Sequence, residues 1–310
     1  MTRWASPAGE ADGRAAGWGT AAVSLLGEAA QLTAGTVRRV VTPQGLRGLA
    51  VEVAWLAAHA LLYPWGVAAQ HPRPSRYYRT DALPPMQRSL LIADMAAATT
   101  PIVLVHGAAD NRSAFALLAR ELRNRGFFLV HGVNYGMLAA FTGDVPTAAE
   151  RLRAEIEQVC EITGADQVQV VGHSLGGLIA RYYVQRMGGD ERVRTLVTLG
   201  TPHQGTRAAY LLPTRLVCQL RPGSALLREL AEPAPGCRTR FLVVWSELDQ
   251  VVVPQENAIL VHPDLEVKVH RLRDVGHLSL PMHPRTLQLI VQEFTRTDAP
   301  EKGDKTATTG

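Results

Sequence analysis

The stretch VQVVGHSLGGLIARYY, from Val168 to Tyr183, joins a strand-like segment to a helix-like segment through a glycine-rich turn. The β-branched residues at its start are typical of a buried strand, whereas the apolar side chains that follow Ser174 repeat at helical spacing. Between the two lies G-H-S-L-G, residues 172–176, which fits G-x-S-x-G. A serine on such a turn has a strained backbone that flanking glycines allow, and its hydroxyl stands exposed. The pattern predicts Ser174 as a nucleophile. The alternative is a glycine-rich turn without chemistry.

The segments after residue 100 alternate between strand-like and helix-like patterns. Helices are predicted between the strands, among them one that starts with a capping box at Thr147–Glu150 and a last one opened by Pro284. This alternation predicts an α/β fold, with a mostly parallel sheet of about six strands and helices on both faces. The predicted strands are 101–105, 127–133, 168–171, 193–199, 241–245 and 267–272.

Two loops after later strands offer the partners that a serine nucleophile needs. The hydroxyl requires a base within hydrogen-bond reach, and the base requires a group that holds its tautomer. In an open parallel sheet these partners come from loops at the carboxyl ends of the strands. His277, beside a glycine just beyond the last strand, is the predicted base. Asp249, which follows the strand 241–245, is the predicted acid, with Glu247 as its rival.

Four segments in this order resemble the bacterial lipases and esterases of the α/β-hydrolase superfamily, in particular the triacylglycerol lipases. They are LVHG at 104–107, the G-H-S-L-G elbow, LGTPHQGT at 199–206, and the loops of Asp249 and His277. The resemblance covers about residues 101–294 and implies the α/β-hydrolase fold, whose triad occurs in the order Ser, Asp, His. It implies no organic cofactor.

The oxyanion of the tetrahedral intermediate needs hydrogen-bond donors that are already in place. One expected donor is the N–H of Leu175, and the other is the N–H of Ala108, with Ala109 as second choice. We expect His106 to shape its own turn, and His203 to hold the loop beneath the active site rather than to act as a base. The segment 204–237 is either an acyl pocket or lid, or a plain helix with a buried leucine stripe.

The composition fits one catalytic domain with an extension. The net charge of +4 comes from scattered arginines, so no nucleic-acid partner is predicted. None of the three cysteines has metal-ligand spacing, and no metal site is predicted. The resemblance leaves a calcium requirement open, since related lipases sometimes bind calcium, but no acidic cluster in the sequence compels it. Cys218 and Cys237 bracket a loop and are interpreted either as a disulfide or as free thiols.

The first 75 residues are predicted to form an apolar helical extension. One helix is expected over 20–41, and a second starts with Thr42 as N-cap and Pro43 and ends at Pro64. Three interpretations stay open: a hairpin packed on the core, peripheral membrane contact through residues 20–67, or a membrane span, which the polar interruptions disfavour. No signal peptide is evident, so a cytoplasmic or membrane-associated protein is expected.

The remaining boundaries are a linker at 76–100, the catalytic domain at 101–298 and a flexible tail at 299–310.

Together these patterns predict a serine carboxylester hydrolase that acts on lipid or acyl esters through an acyl-enzyme on Ser174. An acyltransferase or a thioesterase would use the same triad and differ in the acceptor or the bond cleaved. From another class, a non-catalytic scaffold on a hydrolase fold is the alternative. The sequence leaves the oligomeric state open.

Overall fold

Six parallel strands form one sheet in the computed structural model of the protein, which describes residues 100–108, 112–133, 143–211 and 214–296. The strand order is β2-β1-β3-β4-β5-β6, and every neighbouring pair is parallel. The predicted α/β fold with a parallel sheet of about six strands is therefore confirmed. The strands are β1 Ile102–Val105, β2 Val130–Gly132, β3 Val168–His173, β4 Val193–Leu199, β5 Arg240–Ser246 and β6 Glu266–Leu272.

Helices cover both faces of the sheet, and the apolar core divides accordingly. Helices α2 to α5 pack with one set of strand side chains, and α1 and α6 pack with the other. Strands β1, β3 and β5 are buried along their whole length, as expected for strands covered on both faces. The helices are α1 Ala116–Asn124, α2 Val145–Thr163, α3 Leu175–Arg186, α4 Arg215–Gln219, α5 Ala225–Ala231 and α6 Pro284–Phe294.

The second strand is shorter than the predicted 127–133. Gly126 has φ +96°, a left-handed conformation that ends α1, and the N–H of Phe127 donates to the carbonyl of Leu122. Phe127 therefore belongs to the turn that ends α1 and not to the strand. Pairing with β1 begins only at Val130.

The predicted capping box at Thr147–Glu150 is wrong. Helix α2 begins at Val145, three residues before the start that a cap at Thr147 implies. Its N-cap is Asp144, whose side-chain oxygen accepts from the N–H of Thr147 at 2.9 Å. A carboxylate at the N-cap satisfies an N–H that has no acceptor within the helix, and Pro146 fits the first turn because its φ is already helical. Thr147 is thus the third helical residue rather than the cap.

Five leucines of the segment 204–237 belong to the core. They pack on the same face of the sheet as α2 and α3, which matches the interpretation of a helix with a buried leucine stripe. Tyr210 and Leu211 are exposed. The buried leucines are Leu216, Leu220, Leu226, Leu227 and Leu230.

Several predictions concern residues outside the described ranges. These are the helices over 20–67, the linker 76–100, the tail 299–310 and Ala109. Within the described part of the chain, no helix combines the length and apolarity needed to cross a membrane. Cys218 and Cys237 are free thiols in the structure.

Candidate active site

Ser174 lies where β3 ends and α3 begins, in a backbone conformation that residues other than glycine rarely adopt. Its φ is 53° and its ψ is −124°, and among the described residues it is the one non-glycine with positive φ. Such strain typically costs on the order of 1–3 kcal/mol and persists only where surrounding contacts impose it. One of these contacts is the hydrogen bond from the Ser174 N–H to the carbonyl of Leu199 on β4, at 2.8 Å. The side chain of Ser174 is half-buried at the carboxyl edge of the sheet.

Three glycines allow this turn because no side chain would fit in their places. A Cβ on Gly172 would lie 2.5 Å from the Cα of Gly177, so the strand and the helix pass in direct backbone contact. A Cβ on Gly176 would lie 2.2 Å from the carbonyl oxygen of Val105, and one on Gly177 would lie 2.0 Å from the hydroxyl of Thr201. The helix therefore approaches β1 and the loop after β4 more closely than any larger residue allows.

Asp249 and His277 are in direct contact at the same edge of the sheet. Asp249 follows β5 and His277 follows β6, and the Asp249 Oδ2 lies 2.7 Å from the His277 Nδ1. The residues are 1% and 3% exposed. Because a carboxylate only accepts hydrogen bonds, the Nδ1 carries the proton, and the Nε2 of the neutral ring is available as a base.

The second oxygen of Asp249 is held by the loop that follows it. Its Oδ1 accepts from the N–H groups of Val251 and Val252, both at 2.8 Å, and its main-chain carbonyl accepts from the side-chain amide of Gln255 at 2.8 Å. These donors fix the orientation of the loop and of its carboxylate. Glu247, the rival acid, instead forms an ion pair with Arg271 at 3.0 Å.

Gly200 lies directly beneath this pair, and sequence reasoning assigned it no role. Its φ is +55°, and a Cβ there would come within 3.0 Å of the Asp249 Oδ2 and 3.1 Å of the His277 Nδ1. Only a residue without a side chain leaves the acid and the base room to meet. The sequence signal for a special role of Gly200 was its place within the L-G-T-P segment.

The two expected oxyanion donors lie beside the elbow. Leu175 is the first residue of α3, so its N–H is one of the first-turn donors that have no acceptor within the helix. Ala108 is half-buried just after β1, which pairs with β3, and the tight contact of Gly176 with Val105 and His106 brings this loop against the elbow. The buried ring of His106 contacts the carbonyl of Gly107 at 2.8 Å, as suits the turn-shaping role predicted for it.

Comparison with solved structures and protein families supports the fold. The lipase B of Aspergillus fumigatus superposes with a TM-score of 0.58 at 19% identity, over 64% of this chain and 53% of that one. A family model described as palmitoyl protein thioesterase matches residues 101–232. This chain has the α/β-hydrolase fold.

Two curated relatives of this chain carry enzyme names. A triacylglycerol lipase of Pseudarthrobacter phenanthrenivorans is 35% identical over 122 residues, which are 38% of each chain. A palmitoyl-protein thioesterase–dolichyl pyrophosphate phosphatase fusion of Schizosaccharomyces pombe is 29% identical over 139 residues, 42% of this chain and 22% of the fusion. The matched region thus spans well under half of the length of these relatives.

His203 lies in a buried cluster with Thr198 and Arg181. Its Nε2 is 3.0 Å from the hydroxyl of Thr198, and its Nδ1 and main-chain carbonyl face one guanidinium nitrogen of Arg181 at 3.5 and 3.2 Å. A second guanidinium nitrogen donates to the carbonyl of Leu230 at 2.8 Å. Arg181 thereby ties α3 to the loop after β4 and to the end of α5.

Burial and charge keep His203 neutral. Burial is the main cause that holds its pKa well below the ordinary value for histidine, and the positive charge of Arg181 adds to the effect. Burial also lowers the pKa of Arg181, to about 9, with a further contribution from Arg186. His203 therefore serves as a neutral hydrogen-bonding residue, in line with the prediction that it holds the loop.

His173, the residue before the nucleophile, contacts the base, and sequence reasoning missed it. Its Nε2 lies 3.0 Å from the carbonyl oxygen of His277, and the two imidazole centroids are 4.7 Å apart at 42°. The signal was a histidine within G-H-S-L-G, but no local pattern shows what it would contact. Within the described residues, no three His, Cys, Asp or Glu side chains are grouped so that they could hold a metal ion.

Proposed function

We propose that this α/β-hydrolase is a serine carboxylester hydrolase that cleaves lipid or acyl esters through an acyl-enzyme on Ser174. The observation that carries the proposal is the 2.7 Å contact between Asp249 and His277 at the sheet edge where Ser174 stands in its left-handed turn. A buried carboxylate on one ring nitrogen orients the other as a base. The triacylglycerol lipase among the relatives supports an ester substrate.

In the proposed reaction the hydroxyl of Ser174 attacks the ester carbonyl while the Nε2 of His277 takes its proton. The carboxylate of Asp249 stabilises the imidazolium that forms, and His277 then donates the proton to the leaving alcohol. The N–H groups of Leu175 and Ala108 stabilise the oxyanion. Loss of one such donor typically raises the barrier by about 3–4 kcal/mol. Water cleaves the acyl-enzyme by the same route.

A thioesterase is the second candidate, and one observation favours it. The palmitoyl protein thioesterase family model matches residues 101–232, which include the elbow and the loop that holds Ala108. A thioester yields the same acyl-enzyme, so the triad does not distinguish the two activities. An acyltransferase would differ only in the acceptor of the acyl group.

Hydrolysis of paired substrates tests the proposal. The full chain is assayed with p-nitrophenyl esters from acetyl to palmitoyl and with acyl-CoA thioesters of the same chain lengths, against Ser174→Ala as control. We expect ester hydrolysis that the substitution abolishes, with the preferred chain length separating a lipase from a short-chain esterase. A strong preference for the thioester would favour the second candidate. Equal activity in the wild type and in Ser174→Ala would refute the triad.

We also infer peripheral membrane contact through residues 20–67 and a catalytic domain at 101–298. The support for the contact is the apolar composition of the segment and its aromatic residues Trp55, Tyr63 and Trp65. Co-sedimentation with phosphatidylcholine vesicles tests it. Trp55→Ala with Trp65→Ala should weaken the association and leave hydrolysis of a soluble short-chain ester unchanged. Undiminished sedimentation of the double variant would count against the contact.

A further inference from the structure

His277 lies on a loop that must reach back across the sheet. Strand β6 is separated from β3 by β4 and β5, a distance of three strand spacings, about 14 Å. Nevertheless the carbonyl of His277 lies 3.0 Å from the Nε2 of His173, the last residue of β3. At His277 the loop therefore lies directly beside the strand that leads to the nucleophile.

Different partners hold the side chain and the main chain of His277. The ring nitrogen Nδ1 is held by Asp249 at 2.7 Å, and this contact fixes the ring. Nearer the start of the loop, the hydroxyl of Ser246 donates to the carbonyl of Val275. At His277 itself, the contact with His173 reaches the main chain, and the two residues are 104 positions apart in sequence.

The hydrogen bond between His173 and His277 has a defined donor and acceptor. A carbonyl oxygen only accepts, so the Nε2 of His173 carries a proton and donates it. His173 is 2% exposed, and its ring also packs against the ring of His277, with centroids 4.7 Å apart. A buried donor of this kind has little rotational freedom, and it is covalently adjacent to Ser174.

We propose that His173 is a positioning residue that sets the distance between the base and the nucleophile. This inference rests on the proposed function, because it assigns His173 a role through His277. The donor ties the backbone of the base to the residue before the nucleophile, so the two reacting groups move together. Asp249 cannot replace this restraint, since it holds the ring and belongs to the loop after β5. A displacement of about 1 Å between reacting groups can lower the rate about a hundredfold.

A matched pair of substitutions in the full chain separates the donor from the ring. The side-chain amide nitrogen of glutamine reaches the position of a histidine Nε2, whereas that of asparagine is too short and corresponds to Nδ1. We expect His173→Gln to keep kcat within about threefold of the wild type for a p-nitrophenyl ester. His173→Asn should lose about 10- to 100-fold in kcat with KM within about twofold. His173→Phe keeps the aromatic packing without the donor and should lose as much.

A proton NMR signal tests the same point without turnover. The proton between the His277 Nδ1 and Asp249 should give a sharp downfield resonance in the wild type and in His173→Gln. In His173→Asn and His173→Phe we expect this resonance to broaden, because the donor that holds the main chain of His277 to the end of β3 is lost. Thermal unfolding of each variant separates this effect from a general loss of structure.

Two results would overturn the inference by itself. One is a His173→Asn or His173→Phe variant with the kcat of the wild type, and the other is an equal loss of kcat in His173→Gln. A wild-type chain that hydrolyses neither esters nor thioesters would refute the proposed function, and the role of His173 would fall with it. The activity of the wild type therefore distinguishes the two failures.

Discussion

Two buried histidines of this molecule lie just past the ends of strands, and their partners carry opposite charges. His277 is 3% exposed and faces the carboxylate of Asp249, whereas His203 is 4% exposed and faces the guanidinium of Arg181. Burial is therefore the same for both. A carboxylate stabilises the imidazolium that forms when a base accepts a proton, and a guanidinium destabilises it. The charge of the partner decides which buried histidine can do acid–base chemistry.

The two rings also carry their proton on different nitrogens. His277 directs its Nδ1–H to Asp249, which leaves the Nε2 as proton acceptor. The Nδ1 of His203 faces a donor on Arg181, so its Nε2 carries the proton and faces Thr198. Both nitrogens of His203 are therefore used within the fold. The comparison predicts that changes at the first histidine affect catalysis and changes at the second affect stability.

The largest expected effect comes from removing the charge of Asp249. Asp249→Asn keeps the shape but permits the wrong tautomer of His277, so kcat should fall about 10⁴-fold, as in other triads. Steady-state kinetics with a p-nitrophenyl ester measures the loss. Glu247→Gln is the matched control and should stay near the wild type, since Glu247 pairs with Arg271. A variant Asp249→Asn with more than a tenth of wild-type kcat would break the comparison.

An intermediate effect is expected from removing the charge beside the second histidine. Arg181→Met removes the donor to the buried carbonyl of His203 and one of the two donors to the carbonyl of Leu230, which should lower the free energy of unfolding by about 1–3 kcal/mol. The folded fraction should keep its kcat. Urea denaturation and activity assays measure the two quantities. Arg228→Met, an exposed arginine on α5, should change stability by less than about 0.5 kcal/mol. Equal loss in the two variants would contradict the assignment.

The smallest expected effect is the pH dependence of stability that His203 contributes. Its pKa is lower in the folded chain than in the unfolded one, so the unfolded chain binds the proton more readily. The contribution of His203 to the free energy of unfolding is fully present above about pH 6.5. It declines as the pH falls below that value, by about 1 kcal/mol near pH 5.5. Denaturation curves at several pH values measure the slope. His203→Gln should reduce the slope, and an unchanged slope would contradict the account.

The fold could be predicted from the sequence because its strands and helices have strong periodic patterns. The boundaries were less certain where two local signals compete. Thr147 and Glu150 fit a capping box, yet Asp144 lies three residues before Thr147 and offers an equally good cap. The choice depends on where the chain enters the helix, and that is set by tertiary packing.

The candidate triad could be predicted because each residue has its own local setting at a strand end. The roles of Gly200 and His173 could not be predicted, because they depend on contacts between distant parts of the chain. The need for glycine at 200 appears only when Asp249 and His277 meet above it. The contact of His173 with His277 joins residues 104 positions apart and follows from the path of a loop, which no spacing rule describes.

The most direct test of the central claim is covalent labelling of the full chain with a fluorophosphonate, followed by mass spectrometry of the peptides. Such a probe reacts with a serine that an adjacent base activates. The account predicts one adduct, on Ser174, that is absent in Ser174→Ala and forms far more slowly in His277→Ala. An unlabelled protein, an adduct on another serine, or undiminished labelling of His277→Ala would contradict it.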